Sequence, residues 1–261
     1  MKPAIALPHT LSRTVVIRAP RKAVFRFFTD SPRWASWWGS GSTIQPQAGG
    51  AVYIRHPNGI EAKGEVLELS APERIVFSLG YPGNAQMPVG SSRVTIRLSE
   101  VGAGTRLDLT HEFAEAAPRD EHVQGWRFQL SLFANAVTDE VNAKGAELVD
   151  AWFDAWAEPD AAARERVLAR IASSEVLFRD RYSNLDSLAD LQAHIGASLR
   201  FMPGIRLRRA GDVRHCQGEL LADWVATADD GKERGRGTNV FVLGPTSMIE
   251  SVTGFAAPIA P

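Results

Sequence analysis

The sequence predicts an α+β protein built as two domains, and two observations carry that reading. From about Ser12 to Asn142, and again from about Ala143 to Phe255, short alternating segments are gathered with a few amphipathic helical stretches. Each half therefore reads as a sheet curled over helices, with an apolar hollow between the layers where small apolar ligands usually sit. The length agrees, since 261 residues suit two domains that each bury roughly two-thirds of their unfolded surface. The expected division is a flexible tail over 1–11, one domain over 12–142 and a second over 143–261.

The first half opens with a strand over Arg13–Ala19, in which Val15 and Ile17 share a face. Pro20 suits the first turn of a helix whose apolar face holds Val24, Phe27 and Phe28. Asp30-Ser31-Pro32 is a helix start, and the short helix that follows carries Trp34, Trp37 and Trp38. A meander of strands comes next. Val52, Ile54 and His56 share a face before the turn Pro57-Asn58-Gly59, and Gly64–Leu69 is another strand. Ile75, Phe77, Leu79 and Tyr81 alternate, as do Val94, Ile96 and Leu98, then Leu107, Leu109, His111 and Phe113. A long helix is expected from near Arg119, with the stripe His122, Trp126, Leu130, Phe133 and Val137.

The second half starts with helices. Leu148, Trp152 and Trp156 mark one, and Val167, Leu168 and Ile171 another. Val176, Phe178 and Asp180 then lie on one face of a strand, and Asp186-Ser187 caps a helix with the stripe Leu188, Leu191, Ile195 and Leu199. Strands are expected over Ile205–Arg209, Val213–Gln217, Leu220–Thr227, Thr238–Leu243 and Ile249–Phe255.

Ala19-Pro20 before Val24-Phe25, Trp34 with Trp37-Trp38-Gly39, Gly49-Gly50, Pro57-Asn58-Gly59, Gly64-Glu65-Val66, Pro72-Glu73-Arg74-Ile75, Gly104-Thr105-Arg106-Leu107 and Gly125-Trp126 follow in an order that resembles the homologues of the heat-shock-protein ATPase activator. These belong to the START-like superfamily, with polyketide cyclases and plant allergen-type ligand carriers. The resemblance implies a helix-grip fold with a ligand cavity between the long helix and the sheet. The second half resembles the nuclear-transport-factor-like superfamily, which includes ketosteroid isomerases and SnoaL-like polyketide cyclases. It does so through Val176-Leu177-Phe178-Arg179-Asp180, Trp224, Gly237-Thr238-Asn239-Val240-Phe241 and Ile249–Phe255. That likeness implies a cone-shaped α+β barrel. Asp180 falls where the isomerases keep their carboxylate base, Trp152 where they keep a phenol, and Asn239 where they keep an acid. An indole and an amide donate hydrogen bonds without supplying a proton, so steroid isomerisation is not expected.

Read from its own surroundings, Asp180 is a carboxylate facing an apolar hollow, costly to ionise and so suited to proton transfer. Its bland reading is a turn anchor or the partner of Arg179 or Arg181. His194, on the next helix, either orients it or stays on the solvent side. The candidate ligand-binding residues are Trp34, Trp37, Trp38, Phe77, His111, His122, Trp126, Trp152 and Phe178. For the tryptophans the bland alternative is core packing, and for the histidines it is hydrogen bonding within the wall of the hollow. Neither histidine has a third metal ligand at a convincing spacing, and no cofactor motif is present, so no cofactor is expected.

The formal net charge of −1 gives no global field for nucleic acid or an anionic membrane. The basic run Arg206-Leu207-Arg208-Arg209 reads as a solvated sheet edge. A single cysteine, Cys216, fits a reducing compartment, and the opening residues read as a tail, so a cytoplasmic protein is expected. An exposed sheet face allows a homodimer. Three functions are compatible: a carrier or sensor of a small apolar or aromatic molecule, an enzyme of the cyclase, isomerase or hydratase kind with Asp180 as base, and a partner-binding module related to chaperone regulation.

Overall fold

The computed structural model describes residues 6–257, and all counts refer to these; residues 1–5 of the expected tail lie outside them. The chain divides into two compact units, Met1–Thr138 and Asp139–Pro261. Both are mixed α+β, with sheets that are antiparallel apart from one strand pair in the second.

In the first unit the order is β1 (His9–Ile17), α1 (Arg21–Arg26), α2 (Ser31–Trp38), β2 (Thr43–Ile44), β3 (Ala51–Arg55), β4 (Glu61–Ser70), β5 (Arg74–Leu79), β6 (Ser92–Val101), β7 (Gly104–Phe113) and α3 (Ala116–Val141). The strands form a seven-stranded sheet in the order β1-β7-β6-β5-β4-β3-β2. Its register sets His111 between Leu11 on one neighbour and Val94 on the other. Three boundaries differ from expectation. β1 begins at His9, because Thr10 and Ser12 pair with β7 through backbone and need no apolar side chain. Pro20 is the N-cap of α1 rather than its first helical residue. α3 starts at Ala116, which puts Pro118 in the first turn, where a missing N–H costs nothing.

The core of this unit is aromatic. The Phe28 ring stacks on Phe133 at 5.0 Å and meets Trp37 edge-on at 5.9 Å. Trp34, Trp37, Phe27, Phe28, Phe77 and Phe133 are all fully buried. Each such side chain contributes about 1.5–3 kcal/mol of burial. Asp30 does cap α2, accepting the Arg33 amide at 3.0 Å. Gly39 ends that helix with φ 139°, and a Cβ there would lie 2.3 Å from the Arg55 carbonyl oxygen. Only glycine lets the tryptophan-bearing helix end against the end of β3.

The second unit runs α4 (Gly145–Ala157), α5 (Ala161–Ile171), β8 (Ala172–Arg179), β9 (Asn184–Leu185), α6 (Leu188–Phe201), β10 (Arg206–Cys216), β11 (Glu219–Thr227), β12 (Glu233–Leu243) and β13 (Ile249–Ala256). Its six-stranded sheet has the order β10-β11-β12-β13-β8-β9, with β13 and β8 parallel. The two strands expected over 205–217 are one edge strand. It passes through a register shift between Ala210 and Arg214, where Gly211 takes φ 77°. The basic run sits on that edge, and Arg209 pairs with Asp150 of α4 at 2.7 Å. β12 begins five residues before the expected Thr238, since its charged start, Glu233–Arg236, is held by backbone pairing to β11.

Candidate functional site

The first unit carries a cleft of about 490 Å³ lined by α2, the end of β3 and its turn, the segment after β5, and α3. Trp37, Trp38 and Gly39 come from the end of α2, and His56, Pro57 and Asn58 from the turn. Leu79 and Tyr81 continue the inward face of β5, while His122, Gly125, Trp126, Phe128, Gln129 and Leu132 come from α3. The wall is apolar with few polar groups, and Phe128 and Leu132 are 65% and 41% exposed at its rim. Such size and lining are those of small-molecule sites.

The polar groups are held in defined states. The Trp126 indole N–H donates to His111 Nδ1 at 2.9 Å, so that nitrogen carries no hydrogen. His111 Nε2–H then donates to Ser92 Oγ at 2.8 Å, and the Ser92 hydroxyl donates to the Leu79 carbonyl at 2.8 Å. Burial pushes His111 well below its ordinary range, with the nearby His122 acting the same way. A neutral imidazole thus fixes one wall of the cleft. His122 Nδ1–H donates to the Pro118 carbonyl at 2.7 Å, and Nε2 lies 3.0 Å from the Tyr81 hydroxyl. Burial lowers His122, opposed by the Pro118 carbonyl and Glu121, and burial raises Tyr81. His56 is also lowered, first by burial and then by His122. Gln129 Nε2 donates to the Trp37 carbonyl, tying α3 to α2. Among the described residues, the buried indole nitrogens of Trp37 and Trp38 have no hydrogen-bond partner.

Of the residues singled out from sequence, Trp37, Trp38, His122 and Trp126 line this cleft. Trp34, Phe77 and His111 stand behind it: all three are fully buried, and Trp34 donates to the Tyr53 carbonyl at 3.2 Å. Sequence reading missed His56 and Tyr81 as site residues. Their signal was present, because each ends an inward-facing alternation.

The second unit places its candidates differently. Trp152 and Phe178 are core residues, 6.0 Å apart, with Phe241 against Trp152 at 5.8 Å. Asp180 lies just past β8, and its Oδ1 accepts the Tyr182 amide at 2.8 Å, the anchoring of a turn. Asn239 is buried and its Oδ1 accepts the Trp224 indole N–H at 3.0 Å. Asp180 and Asn239 flank Gly254, whose added Cβ would lie 3.4 Å from Asp180 Cβ and 3.1 Å from Asn239 Oδ1. His194 bonds Ser183 Oγ at 3.1 Å and sits 5.7 Å from the Trp156 ring, so the side chain it bonds is Ser183 rather than Asp180. Among the described residues no cluster of three His, Cys, Asp or Glu forms a metal-holding group. No described helix is long and apolar enough to cross a membrane.

Residues 18–138 match the family described as Activator of Hsp90 ATPase homolog 1-like protein, so the first unit carries a domain of that kind. Among solved structures, the chain is similar to an AHSA1-like protein from Rhizobium etli, with 30% identity over 52% of this chain and 86% of the other and a TM-score of 0.42. It is also similar to CalU16 from Micromonospora echinospora, with 27% identity over 48% of this chain and 71% of the other and a TM-score of 0.41. A protein of the SnoaL-like family from Agrobacterium tumefaciens is a third, with 22% identity over 43% of this chain and 97% of the other and a TM-score of 0.42. No curated protein matches.

Proposed function

We propose that the first unit is a helix-grip domain that binds a small apolar or aromatic molecule in the cleft between α3 and the sheet. The observation that carries the reading is the cleft of about 490 Å³, walled by Trp37, Trp38, Leu79 and Trp126 and left apolar at its rim by Phe128 and Leu132. A monomeric surface rarely keeps such residues together without a use for them. The family match over residues 18–138 supports the same reading. In this proposal the second unit, three helices on a six-stranded sheet, is a cone-shaped domain that follows it.

Gly125 provides the test. It lies inside α3, lines the cleft, and a Cβ there would meet nothing within 4 Å. Gly125→Ala should stabilise the protein by about 0.5–1 kcal/mol through helix propensity. Gly125→Leu should keep the fold and fill the space. Binding of 2-methoxynaphthalene, followed by calorimetry, should then weaken at least tenfold relative to the wild type. Equal affinity of wild type and Gly125→Leu would remove the cleft as the site.

A further inference from the structure

We propose that the cleft selects molecules bearing an acidic, phenol-like hydroxyl, which donates its hydrogen to the Tyr81 oxygen. The proposal rests on the ligand-binding reading above and narrows it to a chemical class. It follows from counting hydrogens in the wall.

The Pro118 carbonyl only accepts, so the hydrogen on His122 must sit on Nδ1, 2.7 Å away. Burial keeps the ring neutral, which leaves Nε2 bare. Nε2, 3.0 Å from Tyr81 Oη, therefore receives the phenol hydrogen. Tyr81 has no second hydrogen, and what remains on its oxygen is acceptor capacity alone. Drawing electron density from Tyr81 O–H into an imidazole makes that oxygen a stronger acceptor.

The unpartnered indole N–H groups of Trp37 and Trp38 can only donate, so they do not compete with Tyr81 for the ligand's hydrogen. The Trp126 N–H is held by His111, Gln129 Nε2 by the Trp37 carbonyl, and Asn58 Oδ1 by the Ile60 amide at 3.1 Å. His56 also lines the cleft, and a neutral imidazole offers one N–H. A hydroxyl both gives and takes, so it can donate to Tyr81 while accepting from His56. An ether of the same shape can only take. The apolar remainder of the wall favours an aromatic body behind the hydroxyl.

The test compares 2-naphthol with 2-methoxynaphthalene by calorimetry at neutral pH, using the full chain and its Tyr81→Phe variant. The ratio of the two affinities in the wild type, divided by that in Tyr81→Phe, isolates the hydroxyl contact from probe hydrophobicity. It should be about ten, the scale of one hydrogen bond in an apolar site. If Tyr81→Phe does not fold, His122→Leu reads the same ratio. That variant frees the Tyr81 hydrogen, so the methoxy probe should gain and the ratio should again fall about tenfold. An unchanged ratio with both probes bound overturns the hydroxyl selection and leaves ligand binding standing. Failure of both probes to bind the wild type overturns both proposals.

Discussion

His111→Ala should destabilise the first unit by about 3–5 kcal/mol, a loss visible as an earlier denaturation midpoint. The side chain is fully buried, so truncation leaves a cavity, and it strands two groups at once. The Trp126 indole N–H would lose its acceptor and Ser92 Oγ its donor, in a place water does not reach. His111→Gln, whose amide can both accept and donate, should recover part of the loss. The same residue sets an acid sensitivity. In the folded chain burial holds the imidazole neutral well below its ordinary value of 6.5, whereas the unfolded chain protonates near it. The unfolded state therefore binds the proton first. His111's contribution is complete above about pH 6.5 and is lost as pH falls below it, at about 1.4 kcal/mol per pH unit. His122 and His56 are lowered too and act with the same sign. Denaturation curves between pH 7.5 and 5 should show the slope flattened by about one proton in His111→Gln. An unaltered slope would assign the acid sensitivity to other groups.

Gly64→Ala should be at least as damaging, by several kcal/mol, enough to reduce soluble yield sharply. Gly64 lies in β4 where β5 crosses closest, and a Cβ there would fall 1.8 Å from the Ser78 carbonyl oxygen and 2.6 Å from its carbon. Both contacts are backbone, so no side chain can turn aside to relieve them. The two strands would have to separate, and the Glu65 amide would lose its bond to Ser78 Oγ at 3.0 Å. A Gly64→Ala protein with wild-type yield and midpoint would contradict this packing.

Much of the architecture was legible because burial imposes period on sequence. The alternation Ile75-Phe77-Leu79 appears as β5, and the stripe from His122 to Val137 appears as the buried face of α3. Failures have physical causes. Gly211 and the charged residues around it read as a break, yet a bulge carries β10 through them. The charged start of β12 has no apolar alternation, because pairing to β11 needs only backbone. In the site, Trp37, Trp38, Trp126 and His122 were legible as inward-facing residues. Which inward residues face open space and which are sealed behind others depends on packing between elements. Nothing local in the sequence separates Trp38, on the cleft wall, from Trp34, four residues earlier and fully enclosed. Phe128 and Leu132 lie off the buried stripe and gave no periodic signal, although they form the rim. Asp180 shows the converse: alternation with Val176 and Phe178 put it on the inward face of the strand, whereas it lies past the end of β8, half-exposed, with its oxygen engaged by the Tyr182 amide.

The seven tryptophans make the central claim directly measurable, since four lie in the first unit and three in the second. In a nitrogen–proton correlation spectrum each gives one indole signal. On titration with 2-methoxynaphthalene, the signals of Trp37, Trp38 and Trp126 should move while those of Trp152, Trp156 and Trp224 stay in place. A spectrum in which the cleft tryptophans do not respond, or in which only those of the second unit do, would contradict an aromatic binding site in the first unit.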